Sequence, residues 1–142
     1  MAFNVLIVDD SSVMRSVLKK TVNMCGFKIG ELLEAGDGLE ALKLLKTNWV
    51  DLVLTDYNMP NMDGLQLIEE MKKDEILARI PVVVVTTEGS EKKIRTFLEK
   101  GASDYLQKPF TPEQVRLKLN RVMGESDEQE GEIERSDEGL DF

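Results

Sequence analysis

The sequence predicts a doubly wound α/β fold, a five-stranded parallel sheet with helices on both faces. Three observations predict it. Short apolar, mostly β-branched runs recur five times, NVLIV at 4–8, KIGELLE at 28–34, DLVLT at 51–55, VVVVT at 82–86 and DYLQ at 104–107. Between them, apolar residues return at three- and four-residue spacing, the period of an amphipathic helix. A fivefold strand–helix alternation within 142 residues then calls for crossover connections, which join parallel strands.

The elements follow in order. After the first strand a helix is expected at 12–25, with Met14, Val17, Leu18, Thr21, Val22 and Cys25 at helical spacing. The second strand ends in the turn Ala35-Gly36-Asp37-Gly38, and a helix at 39–47 sets Leu39, Leu42 and Leu45 on one side. The third strand runs into a loop at 56–63 that contains Pro60 and closes on Asp63, an N-cap for a helix at 64–74. The fourth, introduced by Pro81, is unbroken and apolar, as in a strand covered on both faces. A helix at 91–100 is capped by Ser90 and stopped by Gly101. The last helix opens on Thr111 as N-cap, Pro112 at N1 and Gln114 closing a capping box, and ends near Met123 at Gly124. The expected strand order is 2-1-3-4-5, the flavodoxin-like arrangement, in which chemistry sits at the carboxyl ends of the strands.

Composition narrows the chemistry. Apolar residues make up 42% and charged residues 32%, the profile of a soluble globular protein. No apolar run approaches the roughly 20 residues of a membrane span, and MAFNVLIVDD lacks the basic start of a signal peptide. A cytoplasmic location is expected. The single cysteine, Cys25, excludes an internal disulfide and reads as a small buried hydrophobe. Histidine is absent, so the chemistry rests on carboxylates, hydroxyls, lysine and backbone groups. Of the net charge of −9, residues 124–142 hold −8 through nine acidic residues and one Arg, leaving −1 for residues 1–123. Two units are therefore expected, a domain at 1–123 and an acidic, disordered tail at 124–142. No clustered positive charge marks a nucleic-acid surface.

Reading the strand ends collects a small set of groups. The first strand delivers Asp9 and Asp10, the third Asp56 with Asn58 two residues on, the fourth Thr86, Thr87 and Glu88, and the fifth Lys108. Singly, each has a plain structural explanation, such as helix capping for Asp9 and Asp10. Together, three carboxylates on one sheet edge repel one another and call for a cation. An all-oxygen donor set suits Mg2+. A carboxylate such as Asp56 is also a competent nucleophile for phosphoryl transfer, with Lys108 and the Thr86 hydroxyl as partners for the phosphoryl oxygens.

The segments VLIVDDSSVMR, DLVLTDYNMPNMDG, PVVVVTTEGS and GASDYLQKPF resemble the receiver domains of bacterial two-component response regulators, over about residues 4–123. The DDSSxMR start is most similar to single-domain chemotaxis regulators. The resemblance implies phosphorylation of Asp56 and a Mg2+ site formed by Asp10, Asp56 and the Asn58 carbonyl, with Asp9 acting through water. It implies Thr86 as switch hydroxyl, Tyr105 as an aromatic that turns inward with it, and Lys108 as phosphate-sensing lysine before a cis Pro109. The resemblance also implies that Asn58 and Glu88 tune dephosphorylation, while Thr87 departs from the Ala or Gly more common there. The output surface would include Ile94, Arg95, Tyr105, Gln107 and Lys118. Implied partners are a CheA-like histidine kinase as donor, an output target such as a flagellar motor switch protein, and a phosphatase, with no nucleic acid or membrane.

Rival readings are a phosphorelay intermediate, a phosphate-independent docking module and an aspartyl phosphohydrolase. The last typically needs a second Asp two residues after the nucleophile, where this chain has Asn58. The implied role is thus a phosphoacceptor rather than a turnover enzyme. In the tail, Ile133, Leu140 and Phe142 stand out against the acidic background as a docking segment.

Overall fold

The computed structural model describes residues 2–87 and 89–124. Glu88 and the acidic segment 125–142, for which composition predicts disorder or docking, lie outside the described residues. Strands β1 (Phe3–Val8), β2 (Ile29–Ala35), β3 (Leu52–Asp56), β4 (Val82–Thr86) and β5 (Asp104–Gln107) alternate with helices α1 (Ser12–Met24), α2 (Gly38–Thr47), α3 (Gly64–Lys72), α4 (Glu91–Glu99) and α5 (Pro112–Met123). All pairings are parallel, in the order β2-β1-β3-β4-β5. The expected fold class and strand order are both found.

Alternation along the strands divides the core. Leu6, Val8, Val53, Val82 and Val84 face α2, α3 and α4, where Ala41, Leu45, Leu67, Ile68, Met71 and Phe97 are buried. Val5, Ile7, Leu52, Leu54, Val83, Val85 and Leu106 face α1 and α5, against Leu18, Val22, Val115 and Leu119. Each such side chain, fully buried, stabilises the fold by about 1.5–3 kcal/mol. Period-two burial on both faces accounts for the apolar strands and leaves polar residues to their ends. Cys25 is buried in the second core, and burial pushes its thiol pKa up. No helix among the described residues is long and apolar enough to cross a membrane.

The structure corrects several local expectations. Val17 and Leu39 share helical spacing with core residues yet lie exposed. The buried face of α1 is Leu18, Thr21 and Val22, and that of α2 is Gly38, Ala41 and Leu45. Ser11 caps α1, its hydroxyl accepting from the Met14 amide, so Asp9 and Asp10 are released from capping. Asp56 closes β3 instead of opening the loop. Helix α3 stops at Lys72, and a 3-10 turn at Leu77–Arg79 follows. The Asp74 carboxylate explains that turn, since its Oδ1 accepts from the amides of Ile76 and Leu77 and draws the chain out of α-geometry.

Candidate functional site

Parallel strands end together, so the residues following β1, β3, β4 and β5 meet on one edge. Asp9 continues β1 by donating its amide to the Ala35 carbonyl at 3.0 Å. Its own carbonyl accepts from Arg15 Nη1 at 2.6 Å, and Arg15 Nε donates to Glu34 Oε1 at 2.9 Å. The Asp9 side chain is thereby held inward, where the residue is only 2% exposed. Its Oδ1 accepts from the Ser11 amide at 2.9 Å. Its Oδ2 is buried without a hydrogen-bond partner among the described residues.

Asp56 stands across from it at the end of β3, half-buried, with Oδ1 accepting from the Tyr57 amide at 2.8 Å. Asp10 is exposed beside the pair. One carboxylate oxygen each from Asp9, Asp10 and Asp56 lies within 4.8 Å of the other two. The ammonium of Lys108 reaches in to 3.7 Å from Asp9 Oδ2 and 3.6 Å from Asp56 Oδ1. Lys108 thus meets two of the three clustered carboxylates, and a buried carboxylate oxygen with no hydrogen bond stays costly unless a closer cation meets it. The orphaned Asp9 Oδ2 and the all-oxygen donor set fit a hard divalent cation.

Burial pushes the Asp56 carboxyl pKa above its ordinary value, the Lys108 charge pulls it back, and the Asp9 charge pushes it up again. Such a carboxylate is poorly solvated, and a poorly solvated carboxylate is a better nucleophile for an electrophilic phosphorus.

Thr86 is buried at the end of β4, and its carbonyl accepts from the Lys108 amide at 2.7 Å. The Lys108–Pro109 peptide is cis. Asn58 lies exposed in the loop after β3, and Tyr105 is half-buried on β5. Thr87 is exposed and lines, with Met14, Val17, Lys108, Pro109 and Phe110, an apolar cleft of about 380 Å³. Of the expected output residues, Arg95 and Gln107 are exposed and Ile94, Tyr105 and Lys118 are partly so.

Residues 5–120 match the profile of the response regulator receiver domain. The chain belongs to that family. This receiver is 40% identical to the chemotaxis protein CheY1 of Helicobacter pylori over 123 residues, 86% of this chain and 98% of the relative. Among solved structures, Vibrio cholerae chemotaxis protein CheY4 superposes with a TM-score of 0.77 at 33% identity, covering 86% of this receiver and 99% of that chain. The receiver domain of a sensor histidine kinase from Pseudomonas aeruginosa, solved with a magnesium ion in its active-site cleft, superposes with a TM-score of 0.76 at 25% identity, covering 88% and 100%.

Sequence reasoning about this receiver missed three supports. Tyr57 supplies the amide that fixes Asp56, Arg15 ties the Asp9 backbone to β2, and Gly64 lets α3 approach the site. A Cβ on Gly64 would lie 2.5 Å from the Asp56 carbonyl oxygen, while its amide bonds the Tyr57 carbonyl at 2.9 Å. Gly64 directly after the Asp63 N-cap was the available signal, since a glycine there lets backbone approach backbone closely.

Proposed function

We propose that this receiver accepts a phosphoryl group onto Asp56 from a histidine kinase and signals in chemotaxis through the surface of α4, β5 and α5. The observation that carries the reading is the cluster of Asp9, Asp10 and half-buried Asp56, with Lys108 beside Asp9 and Asp56 and with Asp9 Oδ2 lacking a hydrogen bond among the described residues. The bonds on Asp56 Oδ1 leave Oδ2 to attack phosphorus, forming an acyl phosphate as the donor's P–N or P–O bond breaks. Asp9, Asp10, Asp56 and the Asn58 carbonyl would hold a magnesium ion, which supplies positive charge against the phosphoryl oxygens. Lys108, already facing both buried carboxylates, pairs with the new phosphoryl charge, and the Thr86 hydroxyl bonds one of its oxygens.

In this reading Tyr105 turns inward as Thr86 moves, and Asn58 and Glu88 tune how long the phosphoryl group lasts. The protein is a phosphoacceptor in the cytoplasm with a CheA-like kinase upstream, a motor switch protein downstream and a phosphatase acting on the product. The likeness to chemotaxis regulators supports those partners. The unit 1–123 carries all of these groups, with 124–142 appended to it.

Intact-protein mass after incubation with acetyl phosphate and Mg2+ tests the reading. One phosphoryl adduct that requires Mg2+ and is absent from Asp56→Asn is expected. No adduct on the wild type, together with no response to beryllofluoride, would overturn it in favour of phosphate-independent docking.

A further inference from the structure

Strand β5 is an edge strand, paired on one side only with β4. Its side chains alternate, so Asp104 and Leu106 turn towards the core under α1 and α5 while Tyr105 and Gln107 point the other way. Asp104 is nevertheless a carboxylate, at 4% exposure in a row of apolar positions. Its Oδ1 accepts from the Tyr105 amide at 2.8 Å and from Lys118 Nζ at 3.1 Å, and its Oδ2 faces Arg121 Nη1 at 3.3 Å. Lys118 does a second thing that Arg121 does not. It reaches past the free edge of β5 and lies over the Tyr105 ring, 4.4 Å from the centroid.

We infer that Asp104 and Lys118 form an electrostatic latch that holds the Tyr105 ring at the edge of the sheet and so sets how readily the ring turns inward. This rests on Tyr105 being the switch aromatic of the proposed function. The buried carboxylate fixes the ammonium, and the fixed ammonium stabilises whichever ring position lies beneath it through its attraction to the π-face. An inward ring leaves that contact. Occupancy of the Asp56 site and release of the latch are therefore linked, and whatever favours one favours the other by the same factor. Asp104 and Lys118 act as positioning residues, since neither touches the carboxylate cluster.

Arg121 supplies an internal control. It neutralises the same carboxylate but has a largely exposed side chain and makes no ring contact with Tyr105. If β5–α5 charge pairing mattered only for packing, Arg121→Gln and Lys118→Met would act alike.

The chain has only two tyrosines, Tyr57 and Tyr105, so 3-fluorotyrosine labelling gives two fluorine resonances, assigned with Tyr57→Phe. The full chain is titrated with beryllofluoride and Mg2+, the Tyr105 resonance reporting ring position. Lys118→Met is expected to raise the inward population of the unliganded protein and lower the apparent Kd for beryllofluoride, both by about twofold to fivefold, the factor a partly exposed cation–π contact carries. Asp104→Asn should move both in the same direction, Lys118→Arg should restore wild-type values, and Arg121→Gln should leave them unchanged. Equal shifts in Lys118→Met and Arg121→Gln, or no shift in Lys118→Met, would overturn the latch while leaving the phosphoacceptor reading intact. A wild type that never responds to beryllofluoride would remove that reading and the latch with it.

Discussion

Replacing Asp9 with Asn should stabilise the metal-free protein, although it removes a buried ion-pair partner of Lys108. The oxygen at issue, Asp9 Oδ2, is buried without a hydrogen bond, in a cluster whose carboxylate oxygens lie within 4.8 Å of one another. At an effective dielectric of about 20, two like charges at that separation repel by about 3–4 kcal/mol. Lys108, 3.7 Å away, returns about 4–5 kcal/mol on the same scale. Asp10 is exposed, so solvent removes about half or more of its share of the repulsion. The pairwise terms then leave Asp9 unfavourable by about 1 kcal/mol. Relief of the unsatisfied buried oxygen adds about 1–2 kcal/mol, because an amide in its place can donate to a neighbouring carboxylate. The Ser11 amide bond to Oδ1 survives the change.

A gain of about 2–3 kcal/mol is therefore expected in EDTA, visible as a rise of about 1 M in the urea midpoint for a domain of this size. Mg2+ should close the gap. At about one hundred times its Kd, a ligand bound only by the native state stabilises by about 2.7 kcal/mol, and the wild type keeps the donor that the variant lacks. An Asp9→Asn variant less stable than wild type in EDTA would refute the reasoning. So would a stability difference that Mg2+ leaves unchanged, since the cluster would then not be the seat of a cation.

Two further perturbations test the supports of the site. Glu34 has its carboxyl pKa lowered, first by the hydrogen bond from Lys19 and then by that from Arg15. A depressed folded pKa means stability present above the unfolded value and lost as pH falls through the folded one. Glu34→Gln should thus cost about 0.5–1 kcal/mol at neutral pH, as befits a partly exposed pair, and flatten the acid limb of a thermal-stability profile. An acid limb identical to wild type would show that the pairing does not form in solution. Gly64→Ala places a methyl group 2.5 Å from the Asp56 carbonyl oxygen and should cost about 1–3 kcal/mol in urea unfolding, with slower phosphorylation by acetyl phosphate. A neutral effect on both would mean that α3 does not press against the acceptor loop.

Much of this was legible in the sequence because parallel-strand burial writes itself as contiguous apolar runs, and a run that stops at a carboxylate marks a strand end. VLIVDD and LVLTD announced Asp9, Asp10 and Asp56 that way. Amphipathic spacing was less informative about which edge of a helix is covered. Val17 and Leu39 share the period of core residues but sit beyond the stripe that the sheet reaches. Contacts between distant elements left no local trace at all. Arg15 meets Glu34 nineteen residues on, and Asp104 meets Lys118 and Arg121 across a turn of chain that the sequence shows only as polar residues at helical spacing. The breadth of the α3–β4 connection was hidden for another reason, since the Asp74 carboxylate competes with helical amides and propensity alone does not reveal the winner.

The sheet order assigns different tasks to different strands. Asp9, Asp10 and Asp56 hang on β1 and β3, which have hydrogen-bonded neighbours on both sides, so the acidic cluster is fixed by the stiffest part of the fold. Thr86 closes β4 and Lys108 directly follows β5, the two strands being joined by the Thr86–Gln107 register and by the 2.7 Å bond from the Lys108 amide to the Thr86 carbonyl. A displacement at the end of β4 therefore passes through the main chain to an edge strand with a single neighbour, where yielding costs fewest ladder bonds. Under the proposed function, charge captured at the interior strands would in this way reappear as a change on the α4–β5–α5 side. Reversing the placement, with acceptor groups on the edge and signalling groups inside, would spend the captured energy on bending the sheet instead of on a partner.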